Sequence, residues 1–397
     1  MSALASILHA KGHIVSGSDI TDSDQVDMLR EKGISVAVPH NKKNIPDRCD
    51  LIVINSAISP RNVELSEARR RRIAIITRED LLAEVSRDYR TCIAVAGTHG
   101  KSTTTAMIHA ILIGAGLNPT THNGAVMLDY MKNYHIGGKN IFITEACEFK
   151  RSFLTLNPTI AVVTNVDCDH LDCYSCIEDI KNAFKQFCNQ SDIVIRNQNC
   201  VNSTGLKGKG KTFAFSDIEV KLLAHIDSNH NRENAHAAVR VAEILDIPHE
   251  TIIAALQNFK GIQRRFEKIH QIGGCDIISD YAHHPTELRA TIEMASGKYQ
   301  KFLIIFQPHT YTRTKELFAQ FIDVLSNIDV VLYKTYAARE KHTQGRSGRE
   351  LSAALGCKYI ASPQVLAKTI ENLATKFDAI ILTGAGDMVY HLQLYNS

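Results

Sequence analysis

The sequence predicts an α/β protein of three domains, each built on a mostly parallel sheet with flanking helices. Three observations carry that expectation. Short apolar runs alternate with helical stretches from one end of the chain to the other, the signature of strands joined by helical crossovers. Polar or glycine-bearing turns follow the apolar runs, where open α/β sheets gather their ligand-binding loops. At 397 residues, the chain is too long for one ordinary core. Pattern alone places the joints near residues 88 and 259, giving segments 1–88, 89–259 and 260–397.

In the first segment, Ala3 to Ala10 is expected as a helix and His13 to Ser16 as a strand ending at Gly17-Ser18-Asp19. Asp24 to Lys32 reads as a helix with Gly33 as its C-cap. Leu51 to Ile54 is a strand ending at Asn55-Ser56-Ala57. Asp19 fits both a ribose contact after a nucleotide-domain strand and a helix N-cap. The run Arg69 to Arg72 reads as a solvated helix end, where cations complement the dipole.

The second segment opens on Cys92-Ile93-Ala94-Val95, a buried strand, and continues through Gly97-Thr98-His99-Gly100-Lys101-Ser102-Thr103 into a helix over Ala106 to Leu112. A strand, a glycine turn, then Lys and Ser at a helix start form a phosphate cradle. Lys101 neutralises outer phosphates and the Ser102 hydroxyl suits magnesium. The spacing departs from the standard pattern, because Val95 stands where its first glycine would be. Further strands are expected at Ile141 to Glu145, Ile160 to Asn165 and Ile193 to Ile195, and helices at Asn231 to Leu245 and His249 to Phe259. Acidic clusters close the first two strands: Glu145-Ala146-Cys147-Glu148 and Asp167-Cys168-Asp169-His170-Leu171-Asp172. Magnesium prefers oxygen ligands, so Glu145 and Ser102 suit an ATP-bound ion. A rival drawing uses Cys168, Cys173 and Cys176, with Cys188 further on, as an iron–sulfur set, or Cys168, His170, Cys173 and Cys176 as a zinc set. A helix from Ile177 would carry Cys188 away from it, so small apolar cysteines are the better reading.

In the third segment, strands are expected at Asp276 to Ser279, Phe302 to Phe306, Val330 to Tyr333 and Ala379 to Leu382. Two polar loops follow successive strands, Asp280-Tyr281-Ala282-His283-His284-Pro285-Thr286-Glu287 and Gln307-Pro308-His309-Thr310-Tyr311-Thr312-Arg313. Together they read as a substrate-facing rim, with Asp280 suited to an amine and Arg313 to a carboxylate. Asn231 and Asn234, with His230 at a helix start, could read an adenine edge or cap the helix. Arg264 and Arg265 could reach phosphate bidentately or pair on the surface.

Bulk properties narrow the class. Apolar content of 44% and charged content of 22% describe a globular protein, and a net charge of +3 leaves no general nucleic-acid footprint. The sequence shows no apolar stretch long enough to span a bilayer and no secretory signal, so no membrane partner is expected. Ten cysteines in a chain this long suggest a reducing cytoplasm rather than a disulfide scaffold.

The ordered set of motifs resembles the Mur ligase family of bacterial cell-wall synthesis. It comprises Gly97 to Thr105, Glu145 to Glu148, Asn165 to Asp172, Arg264-Arg265-Phe266, Asp280 to Thr286, Gln307 to Arg313 and Ala338-Arg339-Glu340-Lys341. The resemblance covers almost the whole chain, and the GTHGKS turn and DYAHHPTE loop point to the alanine-adding branch. It implies a UDP-sugar domain over 1–88, short of the family's first strand and glycine-rich loop. It also implies a P-loop ATPase domain over 89–259 and a Rossmann-like amino-acid domain over 260–397, the first domain being Rossmann-like as well. The implied reaction uses ATP and Mg2+ to join L-alanine to the carboxylate of UDP-N-acetylmuramate through an acyl phosphate, in peptidoglycan precursor synthesis. Lys101 would steady the transferring phosphoryl group, and Ser102, Glu145 and His170 would hold the ion. His230, Asn231 and Asn234 would lie near adenine, and Arg264 would contact the nucleotide. Asp280, His283 and Arg313 would serve the amino-acid side. A cytoplasmic monomer or homodimer is implied. The sequence departs from the family pattern in a shorter stretch between Phe215 and His230, in Thr310 where many relatives carry Arg, and in His135 where an Arg is common. The alternative is a truncated, non-ligating nucleotide-binding member of the same family.

Overall fold

The computed structural model describes residues 1–168, 173–215, 229–338, 340–341 and 345–392. These pack as two compact units. One holds the described residues of Met1–Leu223 and Glu233–Lys260, the other those of Ala224–Arg232 and Gly261–Ser397.

The first unit begins with α1 (Ser2–Ala10), β1 (Ser16–Ser18), α2 (Asp24–Glu31), β2 (Ser35–Ala37), β3 (Leu51–Ile54), α3 (Val63–Arg70), β4 (Ala74–Thr77) and α4 (Arg78–Arg87). Parallel pairing joins β1 to β2 and β3 to β4 as two separate two-stranded sheets. The strand expected over His13 to Ser16 is displaced toward Ser16–Ser18, so Gly17 and Ser18 lie in the strand and not in the turn after it. Strands β2 and β4 are too short and too exposed to impose a period, and the pattern misses them. Side-chain chemistry sets the helix starts. Ser23 accepts from the Val26 amide, Asn62 from Glu64 and Leu65, and Thr77 with Asp80 forms a reciprocal box. Arg71 donates to the carbonyls of Ile45, Pro46 and Asp47, and Arg70 pairs with Glu67, so these members of the arginine run are spent locally.

The main sheet of this unit is built from β5 (Thr91–Ala96), β6 (Thr120–Met127), β7 (Lys132–His135), β8 (Ile141–Ala146), β9 (Ile160–Val163), β10 (Ile193–Asn197) and β11 (Lys211–Phe215). Its order is β11-β10-β9-β5-β8-β6-β7, parallel except for β7. Helices α5 (Lys101–Gly114), α6 (Ile177–Asn189), α7 (Asn229–Ile244, in this unit from Glu233) and α8 (His249–Gln257) complete it. Strands β5 and β9 are apolar along their length because both faces are covered. One hydrophobic cluster runs from Leu4, Ile7, Leu82 and Val85 through Cys92, Ala94 and Phe142 to Phe153, Phe184 and Phe187. Helices α1 and α4 therefore share a core with the main sheet, sealed where Tyr89 stacks on Phe142 with centroids 5.0 Å apart.

The second unit holds β12 (Glu267–Ile272), β13 (Cys275–Asp280), α9 (Pro285–Lys298), β14 (Phe302–Phe306), α10 (Tyr311–Glu316), α11 (Phe318–Leu325), β15 (Val330–Tyr333), α12 (Gly348–Leu355), β16 (Lys358–Ile360), α13 (Pro363–Leu373) and β17 (Ala379–Thr383). The sheet order is β12-β13-β17-β14-β15-β16, with only β12 antiparallel. Two apolar clusters cover its faces, one on α13 around Leu366 and Ile370, the other on α9, α11 and α12 around Leu288, Phe321 and Leu351. Among the described residues of both units, no helix is long and apolar enough to cross a membrane.

Phe153 is 1% exposed, stacks on Phe187 at 4.9 Å and meets Phe184 edge-on at 5.1 Å. Phe153→Ala is expected to cost about 3–5 kcal/mol in chemical denaturation.

Candidate active site

Strand β5 sits between β9 and β8, and the loops leaving the carboxyl ends of all three meet. The loop after β5 is the glycine turn. Gly97 has φ 142°, and a Cβ there would lie 1.9 Å from Thr164 Oγ1. Gly100 has φ 84°, and a Cβ there would lie 2.2 Å from Asn234 Oδ1. Both positions therefore need glycine, for conformation and for space. The exit of β9 fixes the turn from one side. Asn165 accepts from the His99 amide at 2.8 Å and donates back to the His99 carbonyl at 3.0 Å, and Thr164 Oγ1 donates to the same carbonyl at 2.6 Å. The Asp167 amide donates to Thr98 Oγ1 at 2.9 Å. Asn234, 2% exposed, takes the Thr104 hydroxyl at 3.2 Å on the other side.

Helix α5 starts at Lys101, where the phosphate-cradle reading puts the helix start, ahead of the apolar run from Ala106, so the helix N-terminus opens directly on the turn. The Lys101 ammonium donates to the carbonyls of Gly97 and Thr98 and to both oxygens of Glu148, at 3.1 and 2.9 Å. Burial opposes that charge and Glu148 more than offsets it, so the ammonium is held above its usual range. Glu148 is 2% exposed. Pattern reading favoured Glu145 and passed over Glu148. Glu145 lies on the same strand tip but accepts from the Gly124 amide at 2.5 Å. Two consecutive left-handed residues, Lys150 with φ 52° and Arg151 with φ 58°, turn the chain just after Glu148. No glycine marks that turn, which is why the spacing gave no sign of it. Ser102 is half-buried at the first turn of α5, and its hydroxyl makes no hydrogen bond among the described residues. Thr103 is buried behind it. Ser102, Glu145 and Glu148 are an all-oxygen donor set of the kind magnesium takes. His170 and Asp169 lie outside the described residues. Cys168, Cys173 and Cys176 form no three-ligand cluster among the described residues, and Cys188 is buried in α6 with its thiol pushed up to about 12 by burial.

In the second unit, the tips of β13, β17, β14 and β15 lie side by side. Asp280 ends β13 and is 6% exposed. Its carboxylate accepts from the Phe266 and Ala282 amides at 2.8 Å each and from Thr291 Oγ1 at 3.0 Å. Burial raises its pKa against the pull of Arg265 and these donors. Asp280 thus locks the loop. His283 beyond it holds the Tyr281 carbonyl at 2.9 Å and Glu287 at 3.3 Å, and its ring meets His309 edge-on at 5.6 Å. Arg313 donates to His309 Nδ1 at 3.1 Å from α10. Glu340 caps α10, taking the Tyr311 and Thr312 amides at 2.6 and 2.9 Å. Its sequence neighbour Arg339 lies outside the described residues. Arg264 donates to the carbonyls of Gly384 and Gly386 and lies 4.9 Å from the Tyr281 ring centroid. His230 and Asn231 occupy the first turn of α7, whereas Asn234 packs against the glycine turn of the first unit.

Family profiles match three consecutive stretches: "Mur ligase family, catalytic domain" over residues 1–90, "Mur ligase middle domain" over 95–207 and "Mur ligase, glutamate ligase domain" over 264–386. A UDP-N-acetylmuramate–L-alanine ligase of Lachnospira eligens is 38% identical over 429 positions, spanning 98% of this chain and 94% of that protein. The chain belongs to the Mur ligase family. A ligase of the same name from Clostridium kluyveri is 37% identical over 439 positions, spanning all of this chain and 95% of its own. Both alignments run longer than the 397 residues here, so the relatives carry positions with no counterpart in this Mur ligase chain. Among solved structures, UDP-N-acetylmuramate-alanine ligase from Thermotoga maritima superposes with a TM-score of 0.84 at 26% identity, covering 100% of this chain and 95% of that one. A murein peptide ligase from Psychrobacter arcticus shares the fold, with a TM-score of 0.75 at 22% identity and coverage of 100% and 97%.

Two outcomes follow from the packing of these sites. Gly100→Ala forces a Cβ onto Asn234 and is expected to weaken nucleotide binding by about tenfold or more, read by calorimetry. Asp280→Asn offers an NH2 group where a second carboxylate oxygen accepted, leaving one buried donor unsatisfied. It should lower unfolding stability by about 1–3 kcal/mol.

Proposed function

We propose that this chain is an ATP-dependent amide-forming ligase joining L-alanine to the carboxylate of UDP-N-acetylmuramate, in peptidoglycan precursor synthesis. The carrying observation is the Lys101–Glu148 pair inside a glycine turn fixed on both flanks, in a chain alignable end to end with ligases of that name. We further propose three functional lobes joined near residues 88 and 259, for UDP-sugar, ATP and amino acid in turn, in a cytoplasmic monomer or homodimer.

The chemistry asks for charge neutralisation and positioning rather than a protein nucleophile. In the first step, the muramate carboxylate oxygen attacks the γ-phosphorus of ATP, the bond to ADP breaks, and an acyl phosphate forms. In the second, the alanine amine attacks the acyl carbon, loses a proton, and expels phosphate. Amides of the turn and the α5 N-terminus hold phosphate oxygens. Lys101 neutralises the group in transfer, already aimed by the carbonyls of Gly97 and Thr98. A bound magnesium ion would draw charge off the phosphates; Ser102, Glu145 and Glu148, with His170 from outside the described segment, would hold it. A nucleotide entering the turn gives Lys101 a phosphate partner that competes with Glu148, whose carboxylate would then turn its charge toward a bound cation. Arg264, His230 and Asn231 serve the nucleotide side and His283 and Arg313 the amino-acid side. Asp280 keeps the His283 loop in place.

A coupled assay of ADP release with UDP-N-acetylmuramate and a panel of amino acids tests the reading. Release should depend on L-alanine, stop with a chelator and return with Mg2+. Folded protein that binds ATP but releases no ADP with any amino acid would overturn it in favour of a non-ligating nucleotide binder. Lys101→Ala and Glu148→Gln should each cut turnover by roughly a hundredfold or more. Glu145→Gln should cost less if Glu145 mainly holds the Gly124 amide.

A further inference from the structure

The proposed reaction makes no use of Cys173 and Cys176, and the structure sets this pair apart from the buried cysteines. Cys92 and Cys188 are sunk in the core, and burial pushes both thiols up to about 12. Cys176 is exposed, and Cys173 is half-buried at the edge of the same core. Both are thiols. Two residues separate them, and the chain bends at Ser175 and Cys176 as it enters α6. The pair thus stands at the strand-to-helix turn of a βαβ unit, β9–α6–β10, with its strands parallel. A Cys-x-x-Cys in that place is the arrangement of a dithiol that opens and closes.

The two sulfurs are not equivalent. Cys176 is the N-cap of α6, whose first-turn amides favour negative charge. The Asp179 amide, then the Ser175 hydroxyl at 3.9 Å, hold its thiol below the usual range. Asp179 carries a like charge nearby, but Arg151 pairs with that carboxylate at 2.7 Å. Thiolates, not thiols, attack disulfides. Cys176 is therefore the attacking sulfur, and Cys173 the one that resolves.

Tyr174 stands between them. It is 2% exposed, and its hydroxyl donates to the Glu148 carbonyl at 2.6 Å. A disulfide across Tyr174 and Ser175 closes a small ring with its own torsional demands. That ring acts on the residue that fastens the Glu148 segment.

We propose that Cys173 and Cys176 are a modification site for small-molecule disulfides, closing into an intramolecular disulfide that draws Tyr174 off the Glu148 carbonyl. The Cys176 thiolate attacks one sulfur of the small disulfide, breaks its S–S bond and expels one thiolate. Cys173 then loses its proton and attacks the Cys176 sulfur of the mixed disulfide, expelling the second thiolate. Two electrons leave the protein, and one small disulfide becomes two thiols.

The probe is glutathione disulfide, added to the folded full chain. Denaturation, alkylation and cleavage before aspartates release residues 172–178, which hold Cys173, Cys176 and no other cysteine. Mass spectrometry should find this peptide unalkylated and lighter by two hydrogens, before any other cysteine has reacted. Cys173→Ser should instead keep a glutathione adduct on Cys176, and Cys176→Ser should show neither product. A lasting adduct on the unsubstituted chain, a link to Cys168, or reaction no faster than at Cys49 would overturn the pairing.

Amide hydrogen exchange over residues 148–153 should quicken on oxidation and recover with dithiothreitol; unchanged exchange with the disulfide formed would overturn the coupling through Tyr174. The effect on catalysis rests on the ligase reading: oxidation should slow ADP release by about tenfold or more, while Cys176→Ser stays at the unoxidised rate with or without the oxidant. Absence of ADP release before oxidation would count against the ligase reading alone, because mass and exchange are read without it.

Discussion

The arrangement of the first unit depends on one constraint: the carbonyls of Gly97, Thr98 and His99 turn inward, with the Thr98 and His99 amides tied to Asn165, so neighbours must satisfy the glycine turn before the α5 N-terminus can face a ligand. Inward carbonyls need donors, and the structure supplies them from two places. Asn165 and Thr164 serve the His99 carbonyl, and the Lys101 ammonium serves those of Gly97 and Thr98. A backbone held this way is preorganised for an anion, so binding need not order it afresh. The same need explains the strand order. Only a strand flanked by two parallel neighbours has exits on both sides, and β5 has β9 to supply Asn165 and β8 to supply Glu148.

The second unit uses its polar residues differently. Asp280, Glu340 and Arg264 each satisfy backbone groups of neighbouring loops, through amides in the first two cases and carbonyls in the third. They fasten four strand tips into one rim. What the rim offers outward is carried on the side chains these locks position, His283 and His309 with Arg313. A buried carboxylate with three donors spends most of its acceptor capacity on its own loop, so Asp280 is an anchor of the rim, a role the sequence pattern did not show.

Legibility followed burial and period. Strands β5, β8, β9, β14 and β17 are largely apolar runs covered on both faces, and they, with the more polar β13, each stand close to where the pattern puts them. Strand β6 was invisible because its buried side chains are polar: Thr121 is satisfied by His109, and His122 by Thr144 at 3.0 Å. A hydrogen-bonded pair across elements looks like loop chemistry until both partners are placed. Glycines at 97 and 100 announced the turn, but the turn after Glu148 uses Lys150 and Arg151 in the left-handed region, where residue type gives no warning. Separate sheets in residues 1–88 were likewise hidden, since strands of three or four half-exposed residues carry no alternation to read.

Those left-handed residues have an identifiable support. Each such conformation costs on the order of 1 kcal/mol or more, and the turn's own hydrogen bond, from the Arg151 amide to the Glu148 carbonyl at 2.8 Å, is joined by support from outside it. Arg151 reaches Asp179 at 2.7 Å and lies 5.1 Å from the Tyr174 ring centroid, while the Tyr174 hydroxyl donates to the Glu148 carbonyl at 2.6 Å. One step further, Phe153 is sunk among Phe184 and Phe187 of α6. The segment after Glu148 is therefore pinned at both ends to α6 and its entrance. That pinning holds a carboxylate against Lys101 without giving it flexibility to leave the strand tip, so the ion pair can exchange partners while the backbone stays in place.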